Sequence, residues 1–192
     1  MANLLTNPAI QIGIQNEAKE ALAQPSSELY LNYLREQTPH TAALFHESLR
    51  YYSASSSIRL TLSPTPIGSK IVPAKSVVFI PFRPLHYDAE VFGPDVHLFN
   101  PDRFFNDKKL ATSQNFKPFS GGSSYCPGRT LARQEFAVFV SELLEKYDVE
   151  IVGKGEGLPH VDEKTPTKGI MMPKEGEDLR LRIMRKRLGA RG

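Results

Sequence analysis

"FKPFSGGSSYCPGRTLARQEF", residues 116–136, carries the only cysteine of the chain, set among glycine, serine and proline ahead of a helical pattern. A lone cysteine is ordinarily a small, inert core residue, and these neighbours are poor company for one. Pro127 suits the first helical position, which predicts Cys126 at or beside the N-cap of the helix that follows. The free N–H groups and the dipole at such an end favour a thiolate. Gly121, Gly122 and Gly128 lack Cβ atoms, so the backbone can take positive φ and lie against something flat. Three roles stay open on this evidence: inert packing, redox or nucleophilic chemistry, and ligation of a soft or borderline metal. The second needs an adjacent base, and none of the five histidines is near in sequence.

Composition narrows the setting. The 192 residues are 40% hydrophobic and 23% charged with a formal net charge of +3, which suits a globular chain. One cysteine excludes an internal disulfide framework and a multi-thiolate zinc site. No run reaches the roughly 18 apolar residues of a membrane span, and residues 1–15 lack a signal-peptide pattern. The excess positive charge sits mostly between Arg180 and Arg191, without the basic stripe and interleaved aromatics of a nucleic-acid binder.

Working outward from the cysteine, Ala132, Phe136, Phe139, Val140, Leu143 and Tyr147 mark one face of a helix. Upstream, Leu5, Ile10, Ile14, Ala18 and Leu22 predict a helix starting near Asn7-Pro8. Ser27 is the expected cap of a short helix to Arg35, and Thr38-Pro39 opens another to about Tyr52. Ile58, Leu60 and Leu62 alternate at strand spacing, and 70–82 reads as a hairpin turning at Pro73-Ala74-Lys75. Arg83 to Lys117 has no sustained period, and a loop of that length is normally functional. A strand at 148–152 and a closing hairpin of 169–173 with 179–185 complete a mixed α+β pattern.

Phe119, Gly122, Cys126 and Gly128 fit F-x-x-G-x-x-x-C-x-G, which resembles the haem-binding loop of cytochromes P450, here 116–129. Two further stretches occur upstream in the same order as in that family. Glu47-Ser48-Leu49-Arg50 resembles its E-x-x-R, and Phe99-Asn100-Pro101-Asp102-Arg103-Phe104 resembles its F-x-P-x-R-F. The resemblance runs from about Asn7 to Arg187 and implies the C-terminal portion of the fold: J, K and L helices, small β-sheets, meander and cysteine loop. Residues 1–192 are therefore expected to form one such C-terminal segment. The family's membrane anchor and I helix have no counterpart here, so a truncated product, a partial gene model or an expressed fragment is expected. The tail "SSYCPGR" is similar to the branch of sterol 7α- and 12α-hydroxylases and prostacyclin synthase.

The resemblance implies haem ligated by the Cys126 thiolate, and monooxygenation of a lipophilic substrate such as a sterol, lipid or secondary metabolite. It also implies electrons from NADPH through a reductase, and a parent protein of the endoplasmic reticulum membrane attached through its N-terminal part. Arg59 would reach a haem propionate, and Ser124 stands where many members carry Arg or His. Glu47 and Arg50, three apart on one helical face, would form a structural network with Arg103. His86 resembles a structural histidine of the family, while His46 and His97 are expected to pack or face solvent. Ala54–Ser57 and Thr165–Met172 resemble substrate-touching segments. Two rivals remain: a non-catalytic remnant without independent turnover, and a small thiol enzyme using Cys126 as nucleophile.

Overall fold

Proline fixes where the two main early helices begin. After a single turn, α1 (Ala2–Leu5), α2 (Pro8–Leu22) starts on Pro8, and the Asn7 side chain accepts the Ile10 N–H at 3.2 Å. Proline there loses nothing, because first-turn N–H groups have no intrahelical acceptor. α3 (Ser27–Glu36) is capped by Ser26 Oγ on the Leu29 N–H, one residue earlier than the expected Ser27. α4 (Pro39–Tyr52) follows, and it carries the Glu47–Arg50 pair. This computed structural model describes residues 1–122, 125–153, 158–164 and 169–186. Ser124, residues 165–168 of the segment read as substrate-touching, and the tail from 187 lie outside the described residues.

Thr38 stands at the N-cap of α4 with Pro39 first in the helix, as expected, but its side chain makes no capping bond. Its Oγ1 donates to the Leu34 carbonyl at 2.7 Å. The cap comes instead from α2, where the buried Glu17 carboxylate accepts the His40 N–H at 2.6 Å, the Thr41 N–H at 3.0 Å and the Thr41 hydroxyl at 2.7 Å. An anion at a helix N-terminus meets both the free donors and the positive dipole end. Mid-helix Gly13 has its reason here: a Cβ on it would stand 2.6 Å from His40 Cδ2.

Three two-stranded antiparallel sheets form among the described residues: β1 (Ser56–Leu60) with β4 (Val77–Pro81), β2 (Thr65–Ile67) with β3 (Lys70–Val72), and β5 (Tyr147–Ile151) with β6 (Leu181–Arg185). Both expected hairpins are therefore re-paired. Lys70–Val72 turns back on Thr65–Ile67 through Gly68 (φ +58°), leaving β4 to pair with β1. Segment 179–185 pairs with β5, while Ile170 and Pro173 bridge to Ser53 and Val161. The stretch read as a loop contains α5 (Arg83–His86), α6 (Ala89–Phe92), α7 (Asp102–Asn106) and a 3-10 turn, Lys108–Thr112.

α8 (Arg129–Lys146) begins later than Pro127 suggests, with Gly128 as its N-cap. Its buried stripe is Ala137, Val140, Ser141 and Leu144, and the expected Phe139 is 57% exposed. The small residues Ala137 and Ser141 let neighbouring helices approach closely. Val140 and Leu144 pack with Leu4, Ile10, Ile14 and Leu44, while Ala137 packs with Ala21 and Leu34. A third cluster, Ala43, Phe92, Val96, Phe104 and Phe116, joins α4 to the segment leading into the cysteine loop. α4 thus lies between the helical layer and that loop.

Candidate prosthetic-group site at the cysteine loop

The loop is hung on two hydrogen bonds from different elements. The Lys117 N–H donates to Nε2 of buried His86 at 3.0 Å, and Ser55 Oγ donates to the Pro118 carbonyl at 3.2 Å. The chain then reverses through Ser120 (φ +66°) and Gly122 (φ +64°), and the Cys126 N–H returns to the Phe119 carbonyl at 3.1 Å. Glycine at 122 carries that left-handed backbone without strain. Phe119 stacks on Phe45 of α4 with centroids 6.3 Å apart, and Phe45 meets Phe136 of α8 at 5.2 Å. These contacts fix the loop against both helices.

Cys126 is half-buried, with its sulfur in no disulfide. It lies two residues ahead of the Gly128 cap, one step further from the helix than a place at or beside the N-cap. Its carbonyl accepts from the Arg129 N–H at 3.4 Å and from the Arg129 guanidinium at 3.0 Å, and that guanidinium covers the Tyr125 ring at 4.5 Å. A Cβ on Gly128 would stand 3.7 Å from the Cys126 sulfur, so glycine leaves the space beside the thiol open. Among the described residues no three His, Cys, Asp or Glu side chains gather into a metal cluster. A single sulfur ligand outside any such cluster fits a metal that brings its own equatorial donors, as iron in a macrocycle does. The donor set and the open flank both accept such a group.

Behind the loop, Glu47 and Arg50 are completely buried. Arg50 Nε and Nη2 each donate to the Glu47 carboxylate at 2.7 Å. Its other N–H groups reach the carbonyls of His86 (3.0 Å), Val96 (2.9 Å) and Leu98 (3.1 Å), so all five guanidinium donors are used. Arg103 Nε lies 3.3 Å from Glu47, and its two Nη groups grip Asp95 at 3.1 and 3.2 Å. Asn100 N–H adds a bond to Glu47 at 2.8 Å, and the Asn100 side chain donates to Asp95 at 2.9 Å. That bond and the Arg103 fork hold the Asp95 carboxyl below the usual carboxylate range. Two cations and two anions balance, and the carbonyl contacts pin 86–98 to α4.

His86 ties this network to the loop, its carbonyl on Arg50 and its ring on Lys117. Burial, then the nearby Arg50 charge, lower its pKa to about 4, so the ring is neutral and Nε2 can accept. His46 packs among Phe45, Phe104 and Phe116, and burial and Arg133 lower it to about 4 as well. His97 lies against Tyr87. Asp95 and Glu17 escaped the sequence reading. A Gly-Pro-Asp turn signals a bend and not an ion pair, and Glu17 looks like any solvated helix glutamate.

Arg59 is not brought to the loop. It is exposed on β1 and donates to the carbonyl of Ile58 at 2.9 Å. The two segments read as substrate-touching do meet. Ala54 N–H bonds the Gly169 carbonyl at 2.7 Å, Met171 N–H bonds Tyr52 at 2.8 Å, and Ser55 abuts Pro118. No helix among the described residues is long and apolar enough to cross a membrane.

The family model described as Cytochrome P450 matches residues 1–181. The chain is 30% identical over 188 residues to a cytochrome P450 monooxygenase, poxD, of Penicillium oxalicum, covering 91% of this chain and 38% of that protein. It is 30% identical over 152 residues to cytokinin hydroxylase of Arabidopsis thaliana, covering 77% of this chain and 28% of the relative. Against the steroid 17-alpha-hydroxylase/17,20 lyase of Rana dybowskii, it is 30% identical over 169 residues, covering 85% of this chain and 32% of that protein. The chain thus spans between 28% and 38% of these relatives' length.

Proposed function

The chain belongs to the cytochrome P450 family, and from that premise we propose that it supplies the proximal, thiolate-bearing wall of a monooxygenase acting on a lipophilic substrate. Cys126 would be the axial ligand of the haem iron, with Phe119, Gly122 and Gly128 shaping the loop against the macrocycle. Haem bound there supplies the chemistry of dioxygen activation, with electrons from NADPH delivered through a reductase. The chain's own residues have other tasks. The Phe119–Phe45 stack and the Cys126 N–H···O=C Phe119 bond hold the sulfur in place. Gly128 leaves the approach to the sulfur free, and Glu47, Arg50, Arg103 and Asp95 keep the supporting wall rigid. Arg59 is assigned to a propionate, which requires its side chain to swing from the Ile58 carbonyl toward the macrocycle.

The substrate side would be built from Ala54–Ser57 and Gly169–Met172. Ile170, 50% exposed, and Met172, 69% exposed, offer an apolar surface beside small polar residues. The relatives named for cytokinin and steroid hydroxylation favour a bulky apolar molecule with a few polar groups. The parent protein is assigned to the endoplasmic reticulum membrane.

One observation carries the reading: a free, half-buried thiol on a glycine-flanked loop, outside any cluster of three or more metal-ligating side chains among the described residues. The test is a carbon-monoxide difference spectrum of the reduced, haem-loaded protein, wild type against Cys126→Ser. A thiolate-type Soret band lost in the variant is expected, and an unchanged spectrum overturns the assignment. Spanning at most 38% of the three compared relatives' length favours a second reading, in which residues 1–192 by themselves are a non-catalytic remnant that retains haem weakly or not at all and turns over no substrate. Product-coupled NADPH consumption with a reductase and a sterol or fatty-acid panel would refute that second reading.

A further inference from the structure

The ring of fully buried His86 makes one hydrogen bond among the described residues. Nε2 accepts the Lys117 N–H at 3.0 Å, so the proton of the neutral ring sits on Nδ1, which finds no acceptor there. The Phe116 ring lies alongside at 5.5 Å and offers no lone pair. The backbone of His86 is anchored separately, its carbonyl accepting from Arg50 Nη1 at 3.0 Å. A protonated ring would present two donors, one of them aimed at the Lys117 N–H, and would meet no acceptor. The charges around it act the same way. Arg50 of α4 and Arg83 of α5 both oppose a positive ring. The carboxylates of the surrounding elements are engaged, Glu47 with Arg50, and Asp88 with the Asn115 side chain and the Glu90 N–H. The Lys117 ammonium turns to Gln114 at 3.1 Å.

We propose that His86 is a positioning residue for the Cys126 sulfur, a latch that holds the stem of the cysteine loop through the Lys117 N–H and releases it when the ring takes up a proton. The path to the sulfur is short. Two residues beyond Lys117, the Phe119 carbonyl accepts the Cys126 N–H at 3.1 Å, and the Phe119 ring rests on Phe45. Ser55 Oγ still holds the Pro118 carbonyl at 3.2 Å, so opening the latch frees one side of the stem and leaves the other tied. The sulfur then shifts without the loop unfolding. In the closed latch the ring has a pKa of about 4, and freed into water it returns to the ordinary 6.5. A lowered pKa means that the closed form holds in full above pH 6.5 and weakens as pH falls. The open-to-closed ratio should grow roughly a hundred-fold between pH 7 and pH 4. The consequence for haem rests on the reading of Cys126 as axial ligand, whereas the latch itself does not.

The experiment follows hydrogen exchange of the Lys117 amide by NMR from pH 7 to pH 4, in the full chain without haem. Wild type is compared with His86→Gln, which keeps a neutral acceptor at every pH, and with His86→Leu, which has none. In the wild type the Lys117 protection factor should fall roughly a hundred-fold while interior amides of α2 keep theirs. His86→Gln should hold it level, and His86→Leu should lack it throughout. Reaction of the Cys126 thiol with 4,4'-dithiodipyridine, taken relative to free cysteine, should quicken with acid in the wild type and stay level in His86→Gln. The comparison of these two stands even if leucine prevents folding. Lys117 protection that merely follows α2, a glutamine variant with the wild-type pH profile, or a thiol indifferent to the latch would each overturn the proposal. With haem loaded, the thiolate-type Soret band of the carbon-monoxide complex should persist to lower pH in His86→Gln, and equal loss in both proteins would also overturn it. A latch that behaves as stated without haem, but no thiolate band in either protein at any pH, would instead overturn the Cys126 assignment.

Discussion

Arg50→Ala is the sharpest perturbation of the wall behind the cysteine loop. The substitution removes two charge-assisted bonds at 2.7 Å from a fully buried carboxylate and leaves the carbonyls of His86, Val96 and Leu98 without that donor. Glu47 would keep the Asn100 N–H and the more distant Arg103, which do not neutralise it as closely. Breaking a buried ion pair by removing one partner costs about 3–5 kcal/mol, because the other charge is stranded. At about 2–4 °C per kcal/mol for a chain of this size, the melting temperature should fall by roughly 6–20 °C. Arg103→Ala should cost less, since Asp95 is partly exposed and can be solvated. Both substitutions unbalance the same carboxylate, so the double variant should depart from the sum by about 0.5–3 kcal/mol. Adding Glu47→Gln to Arg50→Ala should recover part of the loss by removing the stranded charge. Urea denaturation of the wild type and the four variants without haem measures all of this. Strict additivity, or no recovery with Glu47→Gln, would refute the account of the network as one electrostatic unit.

Three further outcomes follow from other contacts. His86 is held neutral in the fold with a pKa of about 4 against 6.5 in the open chain, so the unfolded state takes up a proton first as pH falls. Its contribution is therefore complete above pH 6.5 and lost progressively down to about pH 4, by up to about 3 kcal/mol. His86→Gln should flatten the stability–pH curve in that window relative to wild type, and an unchanged curve would contradict it. Glu17→Ala strips the trans cap from α4 and should cost about 2 kcal/mol, with Glu17→Gln costing less because an acceptor remains; equal losses in denaturation would show that the cap is not what matters. Gly13→Ala must displace the His40 ring, and should destabilise despite alanine's better helix propensity; a gain in melting temperature would exclude the contact.

What the sequence determined by itself was local or fixed in spacing. Asn7-Pro8 and Pro39 announce helix starts because proline's missing N–H and locked φ act on the chain immediately around it. The F-x-x-G-x-x-x-C-x-G spacing, with E-x-x-R and F-x-P-x-R-F upstream, carried family membership, and i,i+3 spacing placed Glu47 beside Arg50. Tertiary structure decided everything that depends on a distant partner. β3 pairs with β2 and β4 with β1 because pairing is a competition among strands, and alternation within one strand does not say which neighbour wins. α8 is apolar on more than one side, so its buried stripe was chosen by the space that Ala137 and Ser141 leave for α2, α3 and α4. Glu17 and Asp95 gained their roles only when folding brought them to the end of α4 and to Arg103. A carboxylate's purpose is set by the donors around it, and those donors are assembled by the fold.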